Sequence, residues 1–147
     1  MANHSSDTRE LASDLVVYAA RLIRAVRRES QLPAGIRILS VIDQYGALGV
    51  SALAVADRSS QPTMTAAVNQ LVSDGLVAKR PNPDDARGSL VSLTTAGSRE
   101  LTRVRKANGD LVAERVGRTS HSPEDLATAV AVLRDLLAVA DDPEGTA

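Results

Sequence analysis

The segment Leu76–Leu93 limits the fold of this chain more than any other stretch. Two short β-prone stretches, Leu76–Arg80 and Leu90–Leu93, flank a loop that contains two prolines, an asparagine, two aspartates and a glycine. Turn-forming residues between β-prone stretches are typical of a β-hairpin. Elsewhere the apolar residues recur at spacings of three and four, which predicts helices. We therefore expect a mainly α-helical chain with one small β-hairpin.

Helix-capping residues predict where the helices before the hairpin begin and end. The first helix is expected over Thr8–Glu29, because Leu11, Leu15, Tyr18, Leu22 and Val26 form one apolar stripe. The positions of Pro, Gly and Ser predict the next elements. A second helix is opened by Pro33 and ends near Tyr45-Gly46, and a very short strand follows at Gly49-Val50. A third helix, Ala52–Asp57, is capped by Ser51, and a fourth is capped by Ser60, with Gln61 and Pro62 in its first turn and Gly75 at its C-cap. Two short helices followed by a hairpin predict a winged helix-turn-helix domain.

Two further helices are predicted after the hairpin. Thr94 or Thr95 begins a long helix, with a bend or weak point at Asn108-Gly109. The sequence Ser122-Pro123-Glu124-Asp125 is a strong start for the last helix. A two-heptad apolar seam follows on that helix, formed by Leu126, Val130, Leu133, Leu137 and Ala140. The tail Asp141–Ala147 is expected to be frayed.

The terminal helices carry more apolar length than a small winged helix can cover. Two copies related by a two-fold axis would bury it, and the candidate dimerisation residues are Leu11, Leu15, Leu126, Val130, Leu133 and Leu137. Packing of the two helices against each other within one chain is the alternative.

Composition argues against an enzyme. The absence of cysteine excludes disulfides, thiolate metal sites and thiol redox sensing. The two histidines, His4 and His121, are predicted in a disordered tail and in a loop. No Ser-His-Asp set, metal-ligand spacing or phosphate-binding glycine loop is apparent, so we expect no metal and no cofactor. No apolar run reaches about 18 residues and no signal-peptide core is visible, so the expected location is the cytoplasm.

Charge is distributed unevenly along the chain. The formal net charge is −1, yet four arginines fall between Arg21 and Arg28, and acids dominate after Thr119. An acidic tail hides local basic surface, so a neutral total neither excludes nor supports nucleic-acid binding. Arg21, Arg24 and Arg28 share one helical face, which either lines a DNA surface or is simply solvated.

The helix Gln61–Asp74 has an outer face suited to a DNA groove. Its apolar face holds Met64, Val68 and Leu71, whereas the opposite side is small, polar and uncharged before Asp74. Asn or Gln can bond an adenine edge in the major groove, and Thr can contact a thymine methyl or a phosphate. An ordinary surface helix is the alternative.

The hairpin adds basic residues beside that helix. Lys79 and Arg80 lie at its base, and Arg87 lies in its loop. An arginine suits the minor groove, where the potential is negative, and Asp85 two residues away could orient its guanidinium. The alternative is a solvated loop with an incidental ion pair.

This arrangement resembles the MarR family of transcriptional regulators over nearly the whole chain. The most specific part is Ser59–Gly97, with a Ser/Thr-rich helix, an Asp-x-Arg wing pair at Asp85 and Arg87, and a strand exit at Leu93, Thr94 and Gly97. The resemblance implies a homodimer that binds DNA, commonly as a repressor relieved by phenolic or other amphipathic ligands. It also implies a ligand pocket, for which Tyr18, Arg21 and Tyr45 are candidates.

The residue patterns and the resemblance together predict a dimeric, sequence-specific regulator that binds a near-palindromic double-stranded operator. We expect an N-terminal dimerisation helix in residues 1–32, a DNA-binding domain in residues 33–97 and C-terminal dimerisation helices in residues 98–147. The predicted DNA contacts are Ser59, Ser60, Gln61, Pro62, Thr63, Thr65, Ala66, Asn69, Gln70, Lys79, Arg80, Asp85 and Arg87. A winged-helix protein-interaction module without DNA binding is the alternative, because Ser51–Leu90 has four bases and four acids.

Overall fold

The computed structural model describes residues 2–30, 32–33 and 35–141. Its elements are α1 (Ala2–Ser30), α2 (Ile36–Tyr45), β1 (Leu48–Gly49), α3 (Val50–Asp57), α4 (Gln61–Ser73), β2 (Val77–Asn82), β3 (Asp85–Leu93), α5 (Thr95–Val116) and α6 (Pro123–Asp141). The strands form one antiparallel sheet in the order β1-β3-β2. The prediction of a mainly helical chain with a small hairpin is confirmed. The tail after Asp141, expected to be frayed, lies outside the described residues.

The chain divides into two compact units, Met1–Asn108 and Gly109–Ala147. The boundary falls at the predicted weak point Asn108-Gly109, although α5 is helical through both residues. The three-part division by function stays a prediction.

The core of the first unit joins α2, α3, α4 and β3. Leu39, Leu53, Met64, Val68 and Val91 are the largest fully buried side chains. Each contributes roughly 1.5–3 kcal/mol relative to an exposed position. Because α4 buries the face that carries Met64, Val68 and Leu71, its opposite face is left in solvent.

Caps at both ends fix the limits of α4. Ser60 is the N-cap, and its Oγ accepts a hydrogen bond from the Thr63 backbone N–H at 3.2 Å. At the other end Gly75 has a φ of 71°, and the Leu76 N–H donates to the Leu71 carbonyl at 2.9 Å. This closing geometry needs a left-handed residue, which glycine adopts without strain. The predicted Ser60 cap is confirmed, whereas the predicted C-cap is shifted by one residue, because Asp74 is the C-cap and Gly75 directly follows it.

Thr94 ties the hairpin to the helices on either side. Its hydroxyl donates to the Gly75 carbonyl at 2.6 Å and accepts from the Gly97 N–H at 3.0 Å, so Thr94 caps α5. A Cβ on Gly97 would lie 2.0 Å from the Leu76 carbonyl oxygen, closer than any real contact. The wing and α4 are therefore held together at one crowded junction.

Two predicted helix starts are wrong. Helix α2 begins at Ile36 rather than at Pro33, whose carbonyl accepts from the Ile36 N–H at 3.3 Å, and left-handed Gly35 is its N-cap. Helix α3 begins at Val50, so Ser51 is not its cap. The hydroxyl of Ser51 instead accepts from the Gln61 side-chain amide at 2.9 Å.

Other predicted limits also shift. Helix α1 begins at Ala2, which places His4 in a helix rather than in a disordered tail. The short strand is Leu48–Gly49, because these two residues pair with Val91 and Leu90. The hairpin strands extend almost to the tip, leaving Pro83-Asp84 as the turn.

In the second unit, Ser122 and Asp125 cap α6 reciprocally. The Asp125 carboxylate accepts from the Ser122 N–H at 2.8 Å, and the Ser122 hydroxyl accepts from the Asp125 N–H at 3.2 Å. The hydrogen bonds from Ser122, with a smaller effect of His121, lower the pKa of Asp125. The seam side chains, among them Val130 and Leu137, are exposed in the single chain. In the described part of the chain, no helix is long and apolar enough to span a membrane.

Candidate nucleic-acid interface

The outer face of α4 is exposed, polar and uncharged. Its exposed positions include Gln61, Pro62, Thr63, Thr65, Ala66, Asn69 and Gln70. Gln61, Pro62, Thr65, Ala66 and Asn69 line one shallow, open region of the surface. A thin helix with small side chains can enter the major groove of B-DNA, which is about 12 Å wide.

Hydrogen bonds within the protein orient most of this face. The Thr65 hydroxyl donates to the Gln61 carbonyl at 2.9 Å, so only its oxygen lone pairs remain for a ligand. The side-chain nitrogens of Gln61 and Gln70 donate to Ser51 Oγ and Asp74 Oδ1, both at 2.9 Å. Each glutamine therefore keeps its amide oxygen as an acceptor and one N–H of its amide as a donor.

The start of α4 is less open than its sequence indicates. The Ser60 and Thr63 hydroxyls lie 2.7 Å apart, and Ser60 also occupies the Thr63 amide. Ser59 is half-buried, and its Oγ is enclosed with no hydrogen-bond partner among the described residues. Ser59, which precedes α4, is therefore unsuited to direct contact with DNA.

One contact links α4 to the base of the wing. Lys79 Nζ donates to Asn69 Oδ1 at 2.7 Å, across an exposed surface. Both residues are predicted DNA contacts, but their contact with each other could not be predicted from the sequence, because ten positions and a helix-to-strand turn separate them. Only the closing geometry at Gly75 brings that strand back along the helix.

The wing tip departs from a regular hairpin next to Arg87. Pro81 pairs with Ser89, whereas the next residue, Asn82, pairs with Asp85. Ala86, Arg87 and Gly88 therefore bulge out of the ladder between these two pairs. This geometry presents an exposed arginine at the end of the wing.

Asp85 holds the main chain of Arg87 rather than its guanidinium. Its Oδ1 accepts from the Arg87 backbone N–H at 2.9 Å. Among the described residues no ion pair joins the two side chains, so the predicted orientation of the guanidinium by Asp85 is not what the structure shows. Arg87 follows Asp85 by two residues, and a short Asp side chain can accept a hydrogen bond from the backbone N–H of the second residue after it. The sequence therefore favours this local turn over an ion pair.

Two acidic side chains near the interface already bind other residues of the protein. Asp57 forms an ion pair with Arg37 at 3.0 Å, and Asp74 accepts from Gln70. Lys79, Arg80 and Arg87 are all exposed on the hairpin. Arg37 lies outside Ser51–Leu90 and neutralises one of the four acids of that segment, so the local charge is more positive by one than its neutral total indicates. The hydrogen bond from the uncharged Gln70 leaves the negative charge of Asp74 in place.

Known proteins of similar sequence are HTH-type transcriptional regulators, in agreement with this geometry. The MarR family model matches residues 33–89, which span α2 to the middle of β3. An HTH-type transcriptional regulator of Mycobacterium tuberculosis is 34% identical over 141 residues, covering 93% of this chain and 96% of the relative. This chain belongs to the MarR family. Membership makes it a DNA-binding transcriptional regulator of the winged helix-turn-helix class.

Solved MarR-family structures share the fold. A MarR family protein from Bacillus stearothermophilus superposes with a TM-score of 0.70 at 22% identity, covering 94% of this chain and 98% of that one. A mutant of MarR from E. coli gives a TM-score of 0.63 at 25% identity, covering 87% and 94%. An uncharacterized HTH-type regulator of Mycobacterium leprae is also 34% identical, over 82% of this chain and 87% of the relative.

The three candidate ligand residues of this MarR-family chain do not form an enclosed pocket. Tyr18 is 61% exposed and Tyr45 is 57% exposed. The Arg21 guanidinium lies 5.8 Å from the centre of the Tyr18 ring, a cation–π contact on α1. Ligand binding by these residues stays a prediction.

Proposed function

We propose that this MarR-family chain is a homodimeric, sequence-specific repressor that a small amphipathic or phenolic ligand releases from DNA. The observation that carries the proposal is the uncharged, hydrogen-bonding outer face of α4, beside a hairpin that presents Lys79, Arg80 and Arg87. A surface helix of a small domain normally carries charges on such a face.

In the proposed complex, α4 lies in the major groove and the wing reaches the adjacent minor groove. The oxygens of Gln61, Thr65 and Gln70 accept hydrogen bonds from base edges or bound water, and the Arg80 side chain at the base of the wing contacts a phosphate. Arg87, at the bulged tip, enters the minor groove, whose negative potential is strongest in narrow A·T-rich tracts. Phosphate contacts position the protein, and base contacts give it specificity.

Exposed apolar residues support the homodimer. Leu11 is 69% exposed on α1, and Leu126, Val130, Leu133 and Leu137 are exposed on α6. Apolar seams of this length on a soluble chain mark an interaction surface. A two-fold dimer would bury them and would place two copies of α4 on successive major grooves.

The proposed effector binds between the winged helix and the dimer arms. Tyr18 and Arg21 on α1, together with Tyr45 at the end of α2, offer aromatic and cationic contacts to a phenolic ligand. A ligand that binds better to the DNA-free form shifts the equilibrium away from DNA. Titration of phenolic compounds against a preformed protein–DNA complex tests this, and unchanged DNA affinity across the series would contradict it.

The salt dependence of binding to promoter duplexes tests the proposed DNA binding. A protein that neutralises several phosphates loses affinity steeply as salt rises, because counterions are released on binding. We expect that loss for the intact chain. No binding to any duplex at low salt, in a chain that folds and dimerises, would favour the alternative of a protein-interaction module.

A further inference from the structure

We propose that Asn69 and Lys79 form one recognition unit that selects guanine, and not adenine, at one position of each operator half-site. This inference rests on the proposed function and names the base specificity of the same surface. It starts from the 2.7 Å hydrogen bond between Lys79 Nζ and Asn69 Oδ1.

The contact fixes which way the Asn69 amide faces. A lysine ammonium has three donors and no acceptor, so the atom that meets it must be the amide oxygen. The Asn69 nitrogen then faces away from Lys79 with its two N–H donors. Both residues are exposed, so these donors and the remaining ammonium N–H groups are open to a ligand.

A free asparagine would favour a different base. It bonds adenine by accepting from N6–H₂ through Oδ1 while donating to N7 through Nδ2. In this chain Oδ1 already binds an ammonium group, and that positive charge would face the N6–H₂ donor of an adenine. Both effects disfavour the usual asparagine–adenine pair.

Guanine presents the complementary pattern. Its major-groove edge offers two acceptors, N7 and O6, side by side. The Asn69 nitrogen and the Lys79 ammonium together offer a donor to each acceptor. No other base offers two acceptors on this edge, since thymine has only O4 and cytosine presents a donor.

The neighbouring amides show that this pattern is specific to Asn69. Gln61 and Gln70 donate from their nitrogens to Ser51 and Asp74, which leaves their oxygens as acceptors. Asn69 is oriented the opposite way, by a contact with the wing. The base of the hairpin therefore sets the polarity of one recognition side chain on α4.

Selection from a random duplex library tests the proposal, with the intact protein and three variants. The unmodified protein should prefer one guanine per half-site by about 10- to 100-fold over adenine. Asn69→Ala should lose that preference and keep the other positions. Lys79→Met frees Asn69 Oδ1, so the preferred base at the same position should change from guanine to adenine.

Arg80→Met is the matched control, because Arg80 is the next basic residue of β2 and points to the other side of the strand. It should reduce affinity on all sequences and leave the guanine preference unchanged. Circular dichroism and thermal unfolding check that every variant is folded.

The outcomes separate the two proposals. If the protein selects a site but prefers adenine, or no base, at the Asn69-dependent position, the recognition unit is wrong and the proposed function stands. A guanine preference that survives Lys79→Met unchanged also overturns it, because Lys79 would then contact phosphate alone. Absence of salt-dependent DNA binding would overturn the proposed function and the recognition unit together.

Discussion

At the scale of single residues, the wing tip depends on a hydrogen bond from a main-chain amide. Asp85 accepts from the Arg87 N–H, which fixes the bulge that carries Arg87. Asp85→Ala removes that acceptor, and we expect DNA affinity to fall by about 1 kcal/mol because the tip becomes disordered. Asp85→Asn keeps an oxygen acceptor and removes a negative charge, so its affinity should equal or exceed that of the unmodified protein.

Fluorescence anisotropy with one labelled operator measures the DNA affinity of both Asp85 variants. If Asp85→Ala binds more tightly than the unmodified protein, the carboxylate only repels DNA and the turn has no role in binding.

Loss of the Arg87 side chain should change the salt dependence of DNA binding. Arg87→Ala should lower the slope of log affinity against log salt by about one, since one phosphate-adjacent charge is lost. The loss should be largest on sites with A·T-rich flanks, where the minor groove is narrow. An unchanged slope and affinity would show that the wing does not touch DNA.

At the scale of elements, the junction of the hairpin with α5 tolerates only glycine at position 97. A Cβ there would meet the Leu76 carbonyl oxygen at 2.0 Å, whereas a Cβ on Gly109 meets nothing within 4 Å. Gly97→Ala should therefore destabilise the first unit by ~2 kcal/mol or more, as overpacked sites do. Gly109→Ala, in the same helix, should stabilise α5 by about 0.5–1 kcal/mol.

Urea unfolding of both glycine variants at one protein concentration checks this pair, because the stability of a dimer depends on concentration. Equal effects of the two substitutions would contradict the crowded junction.

The cap of α6 predicts a pH dependence. Hydrogen bonds from Ser122 lower the pKa of Asp125 below its ordinary value in the folded chain. A carboxyl with a depressed folded pKa stabilises fully above its unfolded pKa, and this stabilisation is lost as the pH falls through the folded pKa. The gap in thermal midpoint between the unmodified protein and Asp125→Asn should therefore be present at pH 7 and absent at a pH below the lowered folded pKa of Asp125. A gap that is equal at both pH values would contradict the role of the ionised cap.

Elements with local signals could be predicted from sequence, and long-range contacts could not. Ser60, Gly75 and Ser122 each act on residues within one turn, so their sequence context is sufficient. Ser51 is the instructive error, because its hydroxyl serves Gln61 ten residues away instead of capping α3. The Lys79–Asn69 contact escaped sequence analysis for the same reason.

At the scale of the whole molecule, the exposed apolar residues of α1 and α6 are the basis of the proposed homodimer. Replacing Leu133 and Leu137 on α6 by charged residues should yield monomers or unfolded chain, because charges in a buried seam are costly. Sedimentation across a concentration range measures this. A folded monomer of the unmodified protein would contradict the dimer and the two-fold operator with it.

The central claim is that two copies of α4 and its wing bind a two-fold DNA site. Sequencing of duplexes selected by the intact protein tests it most directly. We predict a near-palindrome whose half-sites lie about one helical turn apart, roughly 10–10.5 base pairs centre to centre. No enriched sequence, or a single asymmetric core bound by one protein chain, would contradict the account.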